Sequence, residues 1–245
     1  MTWKRLEILF LLSLVGVAAP LFAEGGSKKL IQATNTQQVP FEPGGTIHLN
    51  RSYGSLSVEG WDRPEVEITV IKSLDNLYDA KEQAEAAKRV ESLHVTAERR
   101  SDTDLEISTV APHYSRWTHP FGSTGGVMVE YRIHVPRNSK LVIHHGTGDV
   151  LVTNVTSDIE ATGHAGDITL LLPGTGQYSI DAKSRIGTVS SDFEGDSQRR
   201  RLVGTRYAHT TPAPAHRIYL RMGLGGITIK ESPSSAQPPV PTGLQ

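Results

Sequence analysis

The sequence predicts a mostly β domain of short, Gly-punctuated strands, coiled as a β-solenoid or β-helix, with one inserted helix. Three observations predict it. Apolar residues recur at every second position through much of 44–230, the period of a half-buried strand. A short unit beginning with Gly or Ser recurs between 148 and 191 at spacings of 9, 9, 10 and 11 residues. That is the length of one short strand plus one turn. The 23 glycines and 14 prolines supply turn chemistry.

The N-terminus reads as a targeting segment. Lys4 and Arg5 precede an apolar run from Ile8 to Ala19, Pro20 breaks it, and Ala23 precedes Glu24-Gly25-Gly26. This is the layout of a secretory signal peptide over 1–23. The run is short of the ~20 apolar residues that an ordinary transmembrane helix needs. An uncleaved membrane anchor is the alternative. Residues 24–43 follow as a polar lead.

Alternation begins after Gly44. Thr46-Ile47-His48-Leu49, Ser55-Leu56-Ser57-Val58 and Glu65 to Ile71 each place apolar residues two apart, with Gly54, Gly60 and Asp62-Arg63-Pro64 between them. Residues 77–93 are rich in helix formers and predict a helix. Leu77, Ala80, Ala84 and Ala87 share one face with small side chains, so the helix should lie close against a sheet. Strand patterns resume at Leu93 to Ala97, Leu105 to Val110 and Val127 to Val135, the last ended by Pro136.

The repeat reads Gly148-Asp149-Val150-Leu151-Val152, Ser157-Asp158-Ile159-Glu160-Ala161, Gly166-Asp167-Ile168-Thr169-Leu170, Gly176-Gln177-Tyr178-Ser179-Ile180 and Gly187-Thr188-Val189-Ser190-Ser191. Turn residues recur at the same end of each strand, which coiling explains directly. Tight hairpin signatures such as Asn-Gly are missing. An antiparallel β-sandwich fits the same spacing and is the alternative. The tail from Ser232 to 245 is Pro- and Ser-rich, with too little apolar content to fold. The β domain is therefore expected over 44–231.

Gly54 to Asp62, the Gly-Asp-apolar units of 148–191 and the closing Gly225-Gly226-Ile227-Thr228-Ile229 together resemble a bacterial exported domain family of unknown function, described as adhesin-like. The resemblance covers roughly 44–230. It implies a β-helical or solenoid domain in the cell envelope, with no ligand and no catalytic residues to carry over. The loop at 111–126 and the arginines at 199–206 depart from the pattern.

Composition narrows the chemistry. With 25 basic and 26 acidic residues the net charge is −1, which gives no global pull toward nucleic acid. The absence of Cys excludes disulfides and thiol chemistry. No nucleophile elbow, phosphate loop, dinucleotide fingerprint or His-Glu-x-x-His is present. No cofactor is implied. His144 and His145 are adjacent in a strand, so they face opposite ways and do not share one metal ion. Asp149, Asp158 and Asp167 recur once per unit, too sparse for a calcium roll, and read as turn caps.

Two stretches remain as candidate contact sites. Tyr114, Trp117 and Phe121, with Arg116, concentrate aromatic surface in one loop, either as a partner platform or as a cap over an open end of the domain. Arg199, Arg200 and Arg201 open the stretch 196–221, which holds six Arg and one acidic residue. It can meet phosphate-bearing lipids or acidic glycans, or be a solvated loop. The leading functional reading is a non-enzymatic exported envelope module in an adhesive or scaffolding role. Its partner is an envelope protein, a glycan or a second copy. The alternatives are a carbohydrate-active enzyme on a β-helix, which needs clustered carboxylates, and a membrane-anchored envelope-stress sensor or regulator.

Overall fold

The structure, a computed structural model, describes residues 28–110, 126–200 and 204–232. These form seventeen strands and one helix. β1 (Lys29–Pro40) leads into β2 (Thr46–Ser52), β3 (Ser55–Trp61) and β4 (Glu65–Tyr78). Helix α1 (Gln83–Glu91) precedes β5 (His94–Ser101), β6 (Asp104–Val110) and β7 (Val127–Pro136). The repeat segment forms β8 (Lys140–Thr147), β9 (Val150–Thr153), β10 (Ile159–Ala165), β11 (Ile168–Pro173), β12 (Tyr178–Ile186) and β13 (Val189–Ser191). A hairpin of β14 (Asp196–Arg200) and β15 (Gly204–Thr210) is followed by β16 (His216–Leu224) and β17 (Ile227–Ser232).

The strands make two mixed sheets. The first, sheet A, has the order β1-β4-β7-β3-β9-β11-β17-β13, and the second, sheet B, the order β14-β15-β12-β16-β10-β8-β2-β6-β5. The chain crosses from sheet B to sheet A in successive pairs: β2–β3, β6–β7, β8–β9, β10–β11, β12–β13 and β16–β17. Neighbouring turns of this path pair in parallel, with like residues in register. Ile168 lies opposite Val150 on one side and Ile227 on the other. Ile159 lies opposite Leu141 and Ile218. The repeat segment thus follows the coiling path that its evenly placed turns predict, rather than a hairpin-linked meander. Antiparallel pairing is confined to the two ends, at β1, β4 and β5 and at β14–β15.

The turns are not stacked in chain order. β2–β3 lies between β6–β7 and β8–β9, and β16–β17 fills the place between β10–β11 and β12–β13. One apolar core joins the inner residues of both sheets. The repeat positions Val150, Ile159, Ile168, Tyr178 and Val189 are all buried in it.

Five of the six crossings from sheet B to sheet A are made on glycine. Gly54, Gly148, Gly166, Gly225 and Gly187 have φ of +89°, +124°, +123°, +130° and +142°. A Cβ on Gly148 would run into the Gly54 carbonyl, one on Gly166 into that of Gly148, and one on Gly225 into that of Gly166. The stack therefore requires both the positive φ and the bare backbone that glycine alone offers. The aspartates beside this ladder cap it. Asp149 Oδ1 accepts the Asp167 N–H at 3.0 Å, and Asp167 Oδ1 accepts the Gly226 N–H at 2.6 Å. Asp158, at the opposite corner, accepts the Arg217 N–H at 2.8 Å. Their recurrence predicts that each aspartate caps its own bend; the bonds instead tie one turn to the backbone of the next.

Three sequence expectations are corrected. The polar lead over 24–43 contains a twelve-residue strand, β1, paired along β4. Its weak alternation follows from its edge position, where Ile31, Ala33 and Val39 are only partly buried. The helix is shorter than 77–93, because β4 continues to Tyr78 and the helix begins at Gln83. Its inward residues are Ala86 and Val90, one turn apart on one face, while Leu77 belongs to β4 and is 57% exposed. The helix does pack against β1 and β4, as its small side chains predict. Residues 196–200 of the arginine stretch form strand β14, paired antiparallel with β15, and not a loop.

Candidate functional site

The charged residues of sheet B separate by face. Along β12 the inner side chains Tyr178, Ile180, Ala182 and Ser184 are buried, leaving Asp181, Lys183 and Arg185 on the outer face. Along β16 the buried Ile218, Leu220 and Met222 alternate with Arg217, Tyr219 and Arg221. Parallel pairing sets Lys183 opposite Arg221, and Arg221 opposite Thr162 of β10. The antiparallel β15 sets Arg206 opposite Lys183. One row of the outer face therefore reads Thr162, Arg221, Lys183, Arg206 across four adjacent strands.

A groove of about 490 Å³ opens at the β10, β16 and β12 end of this row. Thr162, His164, Lys183, Arg185, Ile186, Arg221, Met222 and Leu224 line it, with Gly163 and Gly223. Gly223 keeps the floor low: a Cβ there would run into the His164 carbonyl. Gly163 leaves room for the buried Met222, whose Sδ would lie 3.1 Å from a Cβ at that position. Ile186 and Leu224, paired across β12 and β16, are 44% and 54% exposed and form an apolar end wall.

One carboxylate serves these cations. Asp181 Oδ2 accepts from Arg221 Nη2 at 2.7 Å, and its two oxygens accept from Arg206 at 3.3 Å each. Burial works to raise the Asp181 pKa, but hydrogen bonds and charge from Arg221 and then Arg206 outweigh it and hold the carboxyl below its usual range. Arg221 is fixed further by bonds to the Asp181 and Leu220 carbonyls at 2.8 Å and by stacking 3.8 Å over the Tyr219 ring. Lys183 and Arg185 have no ion-pair partner among the described residues. The groove presents fixed guanidinium and free ammonium donors over a backbone floor, a chemistry that receives anions.

Among the described residues, no carboxylate lines the groove. Carboxylates gather on the outer face of sheet A, where His134 Nδ1 lies 3.4 Å from Glu67 and Nε2 lies 3.7 Å from Glu59. They approach opposite nitrogens and hold the ring between them, so they do not converge on a common point. Trp61 stacks on the same ring at 4.9 Å with Arg63 over it at 4.8 Å. Among the described residues, no group of three or more His, Asp or Glu is placed to hold a metal ion.

Of the residues singled out by sequence, Arg199 and Arg200 lie in β14, their backbones opposite Thr205 and Gly204 of the strand that carries Arg206. Arg201, and the loop with Tyr114, Arg116, Trp117 and Phe121, lie outside the described residues. The strand that precedes that loop, β6, is four places along sheet B from β16. The charge excess of 196–221 already includes Arg206 and Arg221. Lys183 and Arg185 are missed by sequence reading, because only the β12–β16 pairing brings them beside Arg221.

The fold resembles bacterial proteins of known structure. A "putative cell adhesion protein" from Clostridium sporogenes aligns with a TM-score of 0.49 at 14% identity, over 82% of this chain and 100% of that one. A "putative adhesin" from Bacteroides fragilis aligns with a TM-score of 0.35 at 12% identity, over 83% of this chain and 98% of that one. No protein-family model and no curated protein matches the chain.

Proposed function

We propose that the chain is an exported, non-enzymatic binding module of the cell envelope, acting in adhesion or scaffolding through the outer face of sheet B. The observation that carries this reading is the cation-lined groove, with no carboxylate in its wall among the described residues. Glycoside hydrolysis needs two carboxylates flanking the scissile bond, and this groove offers none. What it offers is a rigid floor between paired strands and donors fixed by packing, the arrangement of a contact site. Export rests on the signal-peptide layout of residues 1–23, which places the mature chain in the periplasm, at the cell surface or in the medium. No helix among the described residues is long and apolar enough to cross a membrane.

Arg199, Arg200 and Arg201 belong to this reading as basic residues of the same Arg-rich stretch that carries Arg206 and Arg221. Tyr114, Arg116, Trp117 and Phe121 are a second contact region, on the grounds that three aromatics lie within eight residues of a chain only 6% aromatic.

The test is co-sedimentation of the purified mature chain with bacterial envelope fractions, alongside a reducing-sugar assay on crude polysaccharides. Retention that is lost at about 1 M salt, where the screening length falls to ~3 Å, is the expected result. Release of reducing sugar, or no retention at any ionic strength, overturns the proposal.

A further inference from the structure

We infer that the sheet B groove takes a linear acidic polysaccharide, laid across the strands along the row Arg221, Lys183, Arg206. This deepens the binding-module reading and rests on it.

The first argument is electrostatic. Like charges directly opposite on neighbouring strands oppose pairing, and here three cations stand side by side in register. Asp181 lies between Arg206 and Arg221 and neutralises one of them. Lys183 and Arg185 are left with their repulsion, which an anion in the groove would relieve.

The second argument is spacing. Adjacent strands lie ~4.8 Å apart, so the row offers a cation at each such step. A single phosphate or carboxylate engages one step. A chain of acidic sugars, which repeats its carboxylate along its length, engages several and gains by their connection. Thr162 and His164 add a hydroxyl and an imidazole on the β10 side, suited to sugar hydroxyls. Ile186 and Leu224 offer an apolar wall for the face of a sugar ring.

The third argument is shape. Arg221, Lys183 and Arg185 line a concavity whose floor is backbone at Gly163 and Gly223, and Arg206 extends the row beyond it. A flat bilayer surface does not reach that floor, whereas a single extended polymer strand does.

The experiment uses the purified mature chain and polygalacturonate fragments of graded length, with a neutral glucan and phosphatidylglycerol vesicles as comparisons. Binding should tighten from the monomer to fragments long enough to span the row, and should weaken with salt. Lys183 and Arg185 face outward without ion-pair partners, so the double variant K183E/R185E should melt with the parent. It should lose affinity by about tenfold or more, the equivalent of one or two charge-assisted contacts. K140E, on the outer face of β8 and outside the groove, should bind as the parent does. Equal affinity for monomer and long fragment, unchanged affinity in the double variant, or preference for the vesicles over the polyuronate overturns the inference. If the double variant still co-sediments with envelopes as the parent does, the groove assignment fails while the binding-module reading stands. If the parent itself is not retained, that reading fails first.

Discussion

At Gly166 two constraints meet. Its φ of +123° is closed to ordinary side chains, and the position of its missing Cβ is taken by the Gly148 carbonyl. Gly166→Ala must strain the corner and push two stacked turns apart. Strain of this kind costs roughly 1–3 kcal/mol on its own. Urea unfolding of the variant should therefore show a loss of at least about 2 kcal/mol. A loss within ~0.5 kcal/mol would mean that the corner can open without disturbing its neighbours. His145 poses a different constraint. It is buried, with Nδ1 2.8 Å from Ser52 Oγ. Burial pushes its pKa below the ordinary value near 6.5, against smaller raising effects from backbone bonds at Gly54 and Thr147 and from the Asp149 charge. The folded state thus binds the proton less readily than the unfolded chain. The contribution of His145 is fully present above about pH 6.5 and is lost as pH falls from there through the folded value. Comparing the parent with His145→Gln by urea melts at pH 7.5 and 5.5 should show a steeper loss in the parent. Parallel pH dependence in the two proteins would rule His145 out as the source.

At the scale of the element, the pleat of β11 gives a direct test of the repeat. Ile168 is fully buried between Val150 and Ile227, while Thr169 lies on the outer face. Ile168→Ala should cost about 2–5 kcal/mol and Thr169→Ala under ~1 kcal/mol. Equal losses would show that the strand does not present those faces. β11 was readable because its burial is one-sided and its corner glycine precedes it at a fixed step. The same signal failed at β1, where the partly covered edge needs little apolar content, so Thr34 to Gln38 carry no period-two pattern. It failed at β14 and β15 for a related reason. β15 buries Tyr207 but exposes Arg206 and part of His209, and charge pattern alone resembles a loop. The aspartates at 149, 158 and 167 were legible as corner residues from their recurrence, but not their partners, which lie on the neighbouring turn 18 or 59 residues away in sequence. The groove was legible only in part. Arg206 and Arg221 stand in a visible charge excess, whereas Lys183 and Arg185 reach them through a pairing between residues about forty apart in sequence.

At the scale of the molecule, the order of the turns is what local pattern does not specify. Each two-strand unit from β8 to β13 has the same corner and the same period, so nothing local says that β12–β13 must leave a gap after β10–β11. The gap is filled by β16–β17, whose strands pair on both sides: β16 with β10 and β12, and β17 with β11 and β13. Among the described pairings, β12 meets only β16 and β15, and β13 meets only β17. Without the final turn, β12 to β15 have no sheet to join, while β1 to β11 keep their mutual pairing. Such long-range closure also makes the last turn costly to bring in and slow to form. A chain ending at Thr211 is therefore expected to retain amide exchange protection from β2 to β9 and to lose it from Tyr178 to Thr210. Supplying a peptide of residues 212–232 in trans should raise protection at β10–β11, which gains a second neighbour, and restore it at β12–β13, because β16 and β17 pair with both. Should the truncated chain keep its protection at β12 without the peptide, β12 has moved over to pair with β10. The slot would then be a choice the chain makes among near-equal registers, and the identity of the groove, which needs β16 between β10 and β12, would depend on the final turn winning that competition.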